Sequence, residues 1–180
     1  MTSAIMSRPV YQPFRMDPRG RHHLIVAECA ALPAHLDLGT VLTEAWLIGT
    51  SAPGIAVEPG GNNHGFRSTA DLLTHLRHRL GRETIGLRLY AIGTEAFLWD
   101  VMNIAQHAGL SDDEVCLTHE GSLRRRVYCI HCKTTTDNVT SNIVDCAGCG
   151  ARLFVRDHFS RRLAAFMGVM VDAEVPGAVP

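Results

Sequence analysis

The chain has 180 residues, 46% of them hydrophobic and 19% charged, with 17 Lys and Arg against 18 Asp and Glu. That composition suits one ordinary domain, or a compact domain with a small module, and excludes a disordered or fibrous chain. A net charge of −1 and a pI near 6.8 argue against a nucleic-acid-binding protein, and no apolar run approaches the roughly 18 residues of a membrane span.

Residues 1–23 carry Arg8, Arg15, Arg19 and Arg21 with Pro9, Pro13 and Pro18, and show neither a period nor the apolar stretch of a leader. They read as an N-terminal arm, poorly ordered or draped over a partner, and the expected location is cytoplasmic. In that reducing compartment six cysteines favour metal ligation over disulfides. "HLIVAE" (His23–Glu28) is a short β-branched apolar run and predicts a buried strand. Residues 29–44, broken by Pro33 and Gly39, fit no element, and "EAWLIGTS" (Glu44–Ser51) predicts a second strand.

"APGIAVEPGGNNHG" (Ala52–Gly65) has two prolines, four glycines and two asparagines, and reads as a loop. Its length favours a binding role, with His64 the best lone histidine for ligand contact. Ser68 opens a helix: Ser68-x-x-Asp71 resembles a capping box with the shorter acid, Leu72, Leu73, Leu76 and Leu80 recur at helical spacing, and Gly81 takes the C′ place. On that helix His75 and His78 interleave with Arg77 and Arg79, the pattern of a solvated face.

"TIGLRLYAIG" (Thr84–Gly93) predicts a strand. A helix follows from about Glu95 to Ala108, with Phe97, Val101, Ile104, Ala105 and Ala108 on one face and Gly109 as its stop. "DEVCLTHE" (Asp113–Glu120) predicts the last strand. Strand, helix, strand, helix, strand is the signature of an α/β fold, here a small parallel sheet with flanking helices and right-handed crossovers over residues 24–123. No Ser/His/Asp set, carboxylate pair or P-loop stands out. Cys29 and Cys116, in or beside predicted strands, read as buried structural thiols.

Residues 124–180 form a second region. Charge is uneven: residues 121–180 hold eight Arg and Lys against five acids, residues 1–120 nine against thirteen. A basic module on a mildly acidic body fits an acidic protein partner, and Arg124-Arg125-Arg126 could also grip phosphate. Cys129, Cys132, Cys146 and Cys149 follow as C-x2-C, thirteen residues, C-x2-C. Each pair presents two thiolates from one tight turn, and two turns close a tetrahedral site of the zinc-ribbon or rubredoxin kind. One zinc is the expected ion, with a single rubredoxin-type iron as the alternative. The plant-type [2Fe–2S] spacing is absent, and a fourth thiolate makes His131 unnecessary as a ligand. The spacer "KTTTDNVTSNIVD" reads as a hairpin. "RDHFSRRLAAFMGVM" reads as a C-terminal helix opened by His158, with Phe159, Leu163, Phe166, Met167 and Met170 on one face.

Two resemblances add to this. "LRLYAIGTEAFLWDVMNIAQHAGLSDDEVCLTHE" resembles the last strand-helix-strand of the NAD(P)-binding half of ferredoxin–NADP reductase-like enzymes: Tyr90–Ile92 run into Gly93-Thr94-Glu95, Phe97–Ala108 form the helix, Gly109 ends it, and the next strand ends at Glu120. The family's glycine-rich phosphate turn has no counterpart beyond Gly49-Thr50-Ser51-Ala52-Pro53-Gly54, so nucleotide binding by this body stays open.

The second is more specific. "YCIHCK", then "CAGCGARLFVRDHFSRRLAAFMGVMVDAEVPG", resembles the C-terminal region of the small A-type subunit of bacterial dimethylamine monooxygenase. That resemblance implies an accessory subunit of a multi-component, NADPH-dependent monooxygenase that demethylates dimethylamine to methylamine and formaldehyde. Reductase and haem-containing oxygenase subunits would be its partners, carrying NADPH, flavin, [2Fe–2S] and haem. The four cysteines map onto the family's metal positions, and no catalytic residue carries over. The alternative from the residues alone is a free-standing zinc-ribbon protein that binds nucleic acid or a regulatory partner.

Overall fold

The computed structural model describes residues 8–36, 43–49, 63–83 and 85–172. They form two compact units, one over Tyr11–Gly121 and one over residues 8–10 with Ser122 onward.

The first unit is built on a parallel sheet of five strands: β1 (His22–Ala27), β2 (Thr43–Ile48), β3 (Asn63–Phe66), β4 (Leu87–Gly93) and β5 (Val115–His119), in the order β3-β2-β1-β4-β5. Helix α1 (Thr69–Leu80) connects β3 to β4, and α2 (Glu95–His107) connects β4 to β5. Parallel strands covered on both faces need apolar residues at successive positions, and β1 supplies them. Leu24 and Val26 face α1 and α2 in a core with Leu72, Leu76, Phe97 and Val101. Ile25 and Ala27 face the other way, with Ala45, Leu47, Tyr90 and Ile92.

No helix covers that second face among the described residues. Phe14 and Met16 of the arm and Cys29, Leu32 and Leu36 of the segment after β1 lie on it instead. Polar contacts pin the arm there. Tyr90 Oη accepts the Asp17 N–H at 3.0 Å and lies 3.0 Å from Nδ1 of buried His23. Hydrogen bonds from Arg19, then Arg88, hold the Asp17 carboxyl well below the usual carboxylate range. Tyr11 donates to Glu95 at 2.9 Å and accepts from Trp99 Nε1 at 3.0 Å. Burial, reinforced by Glu95, pushes its phenol well above the ordinary value.

Several expectations need correction here. Asn63–Gly65, read as loop, begin β3, an edge strand whose only buried residue is Phe66. Polar, glycine-bearing edges carry no apolar alternation to announce them. The rest of that loop, residues 52–62, lies outside the described residues. Ser68 does cap α1, accepting the Asp71 N–H at 3.2 Å, but the Asp71 carboxylate faces His75 Nδ1 at 3.2 Å. Gly81 closes α1 with a right-handed backbone (φ −64°), so glycine's freedom is not what ends it. Helix α2 ends at His107, with Ala108 exposed, and buries Leu98, Trp99 and Met102 besides the predicted face.

The second unit is a sheet of β6 (Arg125–Cys129), β7 (Thr135–Val139), β8 (Ile143–Asp145), β9 (Arg152–Ser160) and β10 (Ala165–Met170), ordered β7-β6-β10-β9-β8. All pairs are antiparallel except β6 with β10. The predicted C-terminal helix is therefore a hairpin, β9 and β10 joined by a turn over residues 161–164 in which Ala164 has φ +49°. The helical reading failed because residues seven apart share a helix face and also meet across a short hairpin. Phe159 and Phe166 are cross-strand partners with ring centroids 5.1 Å apart. Leu153, Val155 and Phe159 are the buried apolar residues of β9, with exposed residues between them. The spacer is not a hairpin either: β7 and β8 lie at opposite edges of the sheet.

No helix among the described residues is long and apolar enough to cross a membrane.

A double-mutant cycle on Phe159→Ala and Phe166→Ala, read by urea unfolding, is expected to give a coupling of about 1 kcal/mol. On a helix the two residues would stand about 10 Å apart along the axis, and no coupling would appear.

Candidate metal centre

Each C-x2-C segment is the turn of a hairpin. β6 runs into Cys129–Cys132 and returns as β7, and β8 runs into Cys146–Cys149 and returns as β9. The two turns repeat one hydrogen-bond pattern. Cys129 N–H donates to Thr134 O and Lys133 N–H to Cys129 O, both at 2.9 Å. Cys146 N–H donates to Ala151 O at 2.9 Å and Gly150 N–H to Cys146 O at 3.0 Å. The residue after each second cysteine is left-handed, Lys133 at φ +67° and Gly150 at φ +72°. Glycine serves that place without cost.

Contacts between the knuckles bring them together. The Ala147 N–H donates to Thr136 Oγ1 at 3.1 Å. Gly148 sits against Thr134 so closely that a Cβ there would lie 2.4 Å from Thr134 Oγ1 and 2.8 Å from its Cβ. The four Sγ atoms consequently lie within 4.8 Å of one another, Cys132 to Cys146 at 3.4 Å and Cys129 to Cys149 at 4.0 Å. Disulfide sulfurs would be about 2.05 Å apart, and all four cysteines are free. A tetrahedral ion with metal–sulfur bonds of about 2.3 Å needs sulfurs about 3.8 Å apart. The cluster brackets that spacing, so its residues fit one ion, with no room for the two separated metals of a [2Fe–2S] unit.

The protein prepares these sulfurs unequally. Hydrogen bonds from the Thr134 hydroxyl and backbone hold the Cys132 thiol down to about 6. The Cys149 N–H, then the Gly148 N–H, lower the Cys146 thiol. The Ala151 N–H also favours the Cys149 thiolate, but burial and the other three sulfurs outweigh it and push that thiol up to about 11. Near neutral pH the metal-free cluster thus holds protons that a bound cation must expel. Cys129 and Cys146 are buried, Cys132 half-buried and Cys149 exposed, which leaves one side of the cluster accessible.

The other candidates disperse. His131 is exposed and outside the cluster, and His158 is exposed on β9. His75 and His78 are both exposed on α1. His64 lies on β3, 3.6 Å from Glu44. Arg125 donates to Ser141 O and Asn142 Oδ1, and Arg126 pairs with Asp137 at 3.1 Å, so two arginines of the triplet serve the module itself. Cys29 and Cys116 are half-buried rather than buried, and both lie against the second face of the parallel sheet. Burial pushes the Cys29 thiol up. Thr134 was missed by sequence reading. A hydroxyl two residues past the second cysteine of a knuckle was the available signal.

Residues 126–169, the sheet that carries the knuckles without its first and last residues, match the C-terminal domain described as dimethylamine monooxygenase subunit DmmA-like, and residues 55–115 match the N-terminal domain of the same description. The chain belongs to the DmmA-like family. It is also 33% identical over 175 residues to the heme-dependent oxidative N-demethylase delta subunit of Ectopseudomonas mendocina (strain ymp), a span covering 97% of this chain and 94% of that one. No solved structure matches it. In this DmmA-like chain the C-terminal match encloses all four cysteines, whereas the N-terminal match opens before β3 and stops at the first residue of β5.

Three outcomes test the site. Gly148→Ala is expected to cost about 1–3 kcal/mol in urea unfolding and to speed metal loss to a chelator, because Thr134 must move. Lys133→Gly, at the equivalent of Gly150, should change stability by less than about 1 kcal/mol, relief of left-handed backbone offsetting glycine's entropy. In chelator competition, affinity for zinc should fall as pH is lowered from 8 toward 6, with more than one proton taken up per ion released. A flat profile would mean the sulfurs are not the ligands.

Proposed function

We propose that this chain is the small accessory subunit of a multi-component, haem-dependent oxygenase that N-demethylates dimethylamine to methylamine and formaldehyde at the expense of NADPH and O2. The observation that carries this is the end-to-end relation to an oxidative N-demethylase delta subunit, which leaves almost no part of either chain unmatched. A relation confined to the cysteine module would have supported only a shared metal site. Haem, flavin, [2Fe–2S] and NADPH belong to reductase and oxygenase partners in a cytoplasmic hetero-oligomer, and the surplus of basic residues in the C-terminal module suits docking on an acidic partner.

Cys129, Cys132, Cys146 and Cys149 hold one ion in this reading. Zinc would cross-link the two hairpins in a closed four-thiolate shell, and iron in the same cage would carry one electron. The chain's own part is the same in either case: two hairpin turns, Thr134 and the backbone N–H groups orient the sulfurs and stabilise their charge.

Co-expression of the affinity-tagged chain with its candidate partners tests the assignment. It is expected to retain haem and reductase subunits through a salt wash, and omission of the chain should lower formaldehyde release from dimethylamine. A chain that purifies alone and binds DNA with steep salt dependence would sink the assignment in favour of the zinc-ribbon alternative. Metal analysis of the same preparation separates the ions: one zinc and no colour makes the site structural, whereas one iron with dithionite-bleached absorption makes it a relay.

A further inference from the structure

The order β3-β2-β1-β4-β5 reverses direction at β1, which places the topological switch point between β1 and β4. In open parallel sheets of this order, dinucleotides bind outside the carboxyl ends of those two strands. Their pyrophosphate rests on a glycine-rich turn and the N-terminus of the helix after β1. This chain builds the place differently. It has no glycine from Glu28 to Leu38, and residues 28–36 contain no helix.

Helix α2, which follows β4, presents its N-terminus there, and Glu28 holds it. Glu28 Oε2 accepts the Thr94 N–H at 3.1 Å and the Thr94 hydroxyl, while Oε1 accepts the Thr69 hydroxyl at 3.2 Å. Thr94 is a residue type that normally caps its own helix, yet its hydroxyl makes no cap bond and goes to Glu28. β4 approaches Glu28 so closely that a Cβ on Gly93 would lie 2.7 Å from the Glu28 Cβ. Two further carboxylates lie at the boundaries of neighbouring elements. Glu95 opens α2 and receives Tyr11, and Glu120 follows β5 and lies 3.1 Å from His35 Nε2.

We propose that the Glu28 carboxylate takes the position a nucleotide phosphate would occupy and closes this body to pyridine nucleotides. A negative group at a helix N-terminus is favourable, so the slot is satisfied from within the chain. An incoming phosphate would have to displace Glu28 and then meet the charges of Glu95 and Glu120. Combined with the subunit assignment, on which this last step rests, NADPH in the assembly is bound by a different subunit.

The test uses the isolated full-length chain. NADPH is titrated and followed by its own fluorescence, and inorganic pyrophosphate is titrated and followed by thermal unfolding. Wild type is expected to show no saturable binding of either up to about millimolar concentration. Saturable NADPH binding at micromolar concentration would overturn the proposal. In Glu28→Gly, pyrophosphate is expected to raise Tm by a few degrees, an effect absent from wild type. A folded Glu28→Gly chain indifferent to pyrophosphate would show that Glu28 is not what fills an anion position. Should that variant not fold, the wild-type NADPH titration decides alone. Because no partner is present, failure here leaves the subunit assignment standing, and failure to assemble leaves this result standing.

Discussion

Four cysteine sulfurs within 4.8 Å of one another cannot all carry charge unless a cation sits among them. The C-terminal unit is arranged around that constraint. Two hairpins with the same turn bonds present two sulfurs each, and Thr134 seated on Gly148 holds the turns in contact. Backbone N–H groups and the Thr134 hydroxyl stabilise some thiolates, while desolvation and then the neighbouring sulfurs make Cys149 resist ionisation. The remaining core is small, with Val127, Leu153, Val155, Phe159 and Phe166 its main apolar members. A sheet of this size buries too little surface to be secure without a cross-link.

The parallel sheet answers a different constraint. Its central strands β1 and β4 are apolar on both faces and must be covered twice. Helices α1 and α2 cover one face, and the arm and the segment after β1 cover the other. Residues 11–20 have no helix or strand of their own, yet the Asp17–Arg88 pair and the Asp17 N–H donated to Tyr90 Oη tie them to the sheet. The same economy appears at the carboxyl ends of the strands, where Glu28 satisfies the start of α2 and replaces an external anion.

This DmmA-like chain pairs a nucleotide-type strand order with a switch point filled by its own carboxylate, and carries a four-cysteine cluster on a separate sheet.

Features carried by local spacing were legible in the sequence. The two C-x2-C pairs specified the knuckles, since two residues between cysteines suffice for one tight turn. The leucines of α1 and the Phe97-to-Ala105 stripe of α2 specified helices through a period of 3.6, and the apolar runs of β1 and β4 specified buried strands. Features that depend on what lies opposite were decided by the tertiary structure. Phe159 and Phe166 fit a helix face as well as a hairpin, until β10 found β6 and β9 on either side. Thr135–Val139 and Ile143–Asp145 looked like partners, but each pairs with the strand beyond its own knuckle. Glu28 ends an ordinary strand in the sequence, and only the strand order brings it to Thr94, 66 residues away. Helical and turn bonds join neighbours a few residues apart, so residue spacing can encode them. Strand pairing and the contacts across it join distant segments, and burial in the assembled sheet selects among pairings that local pattern leaves equal.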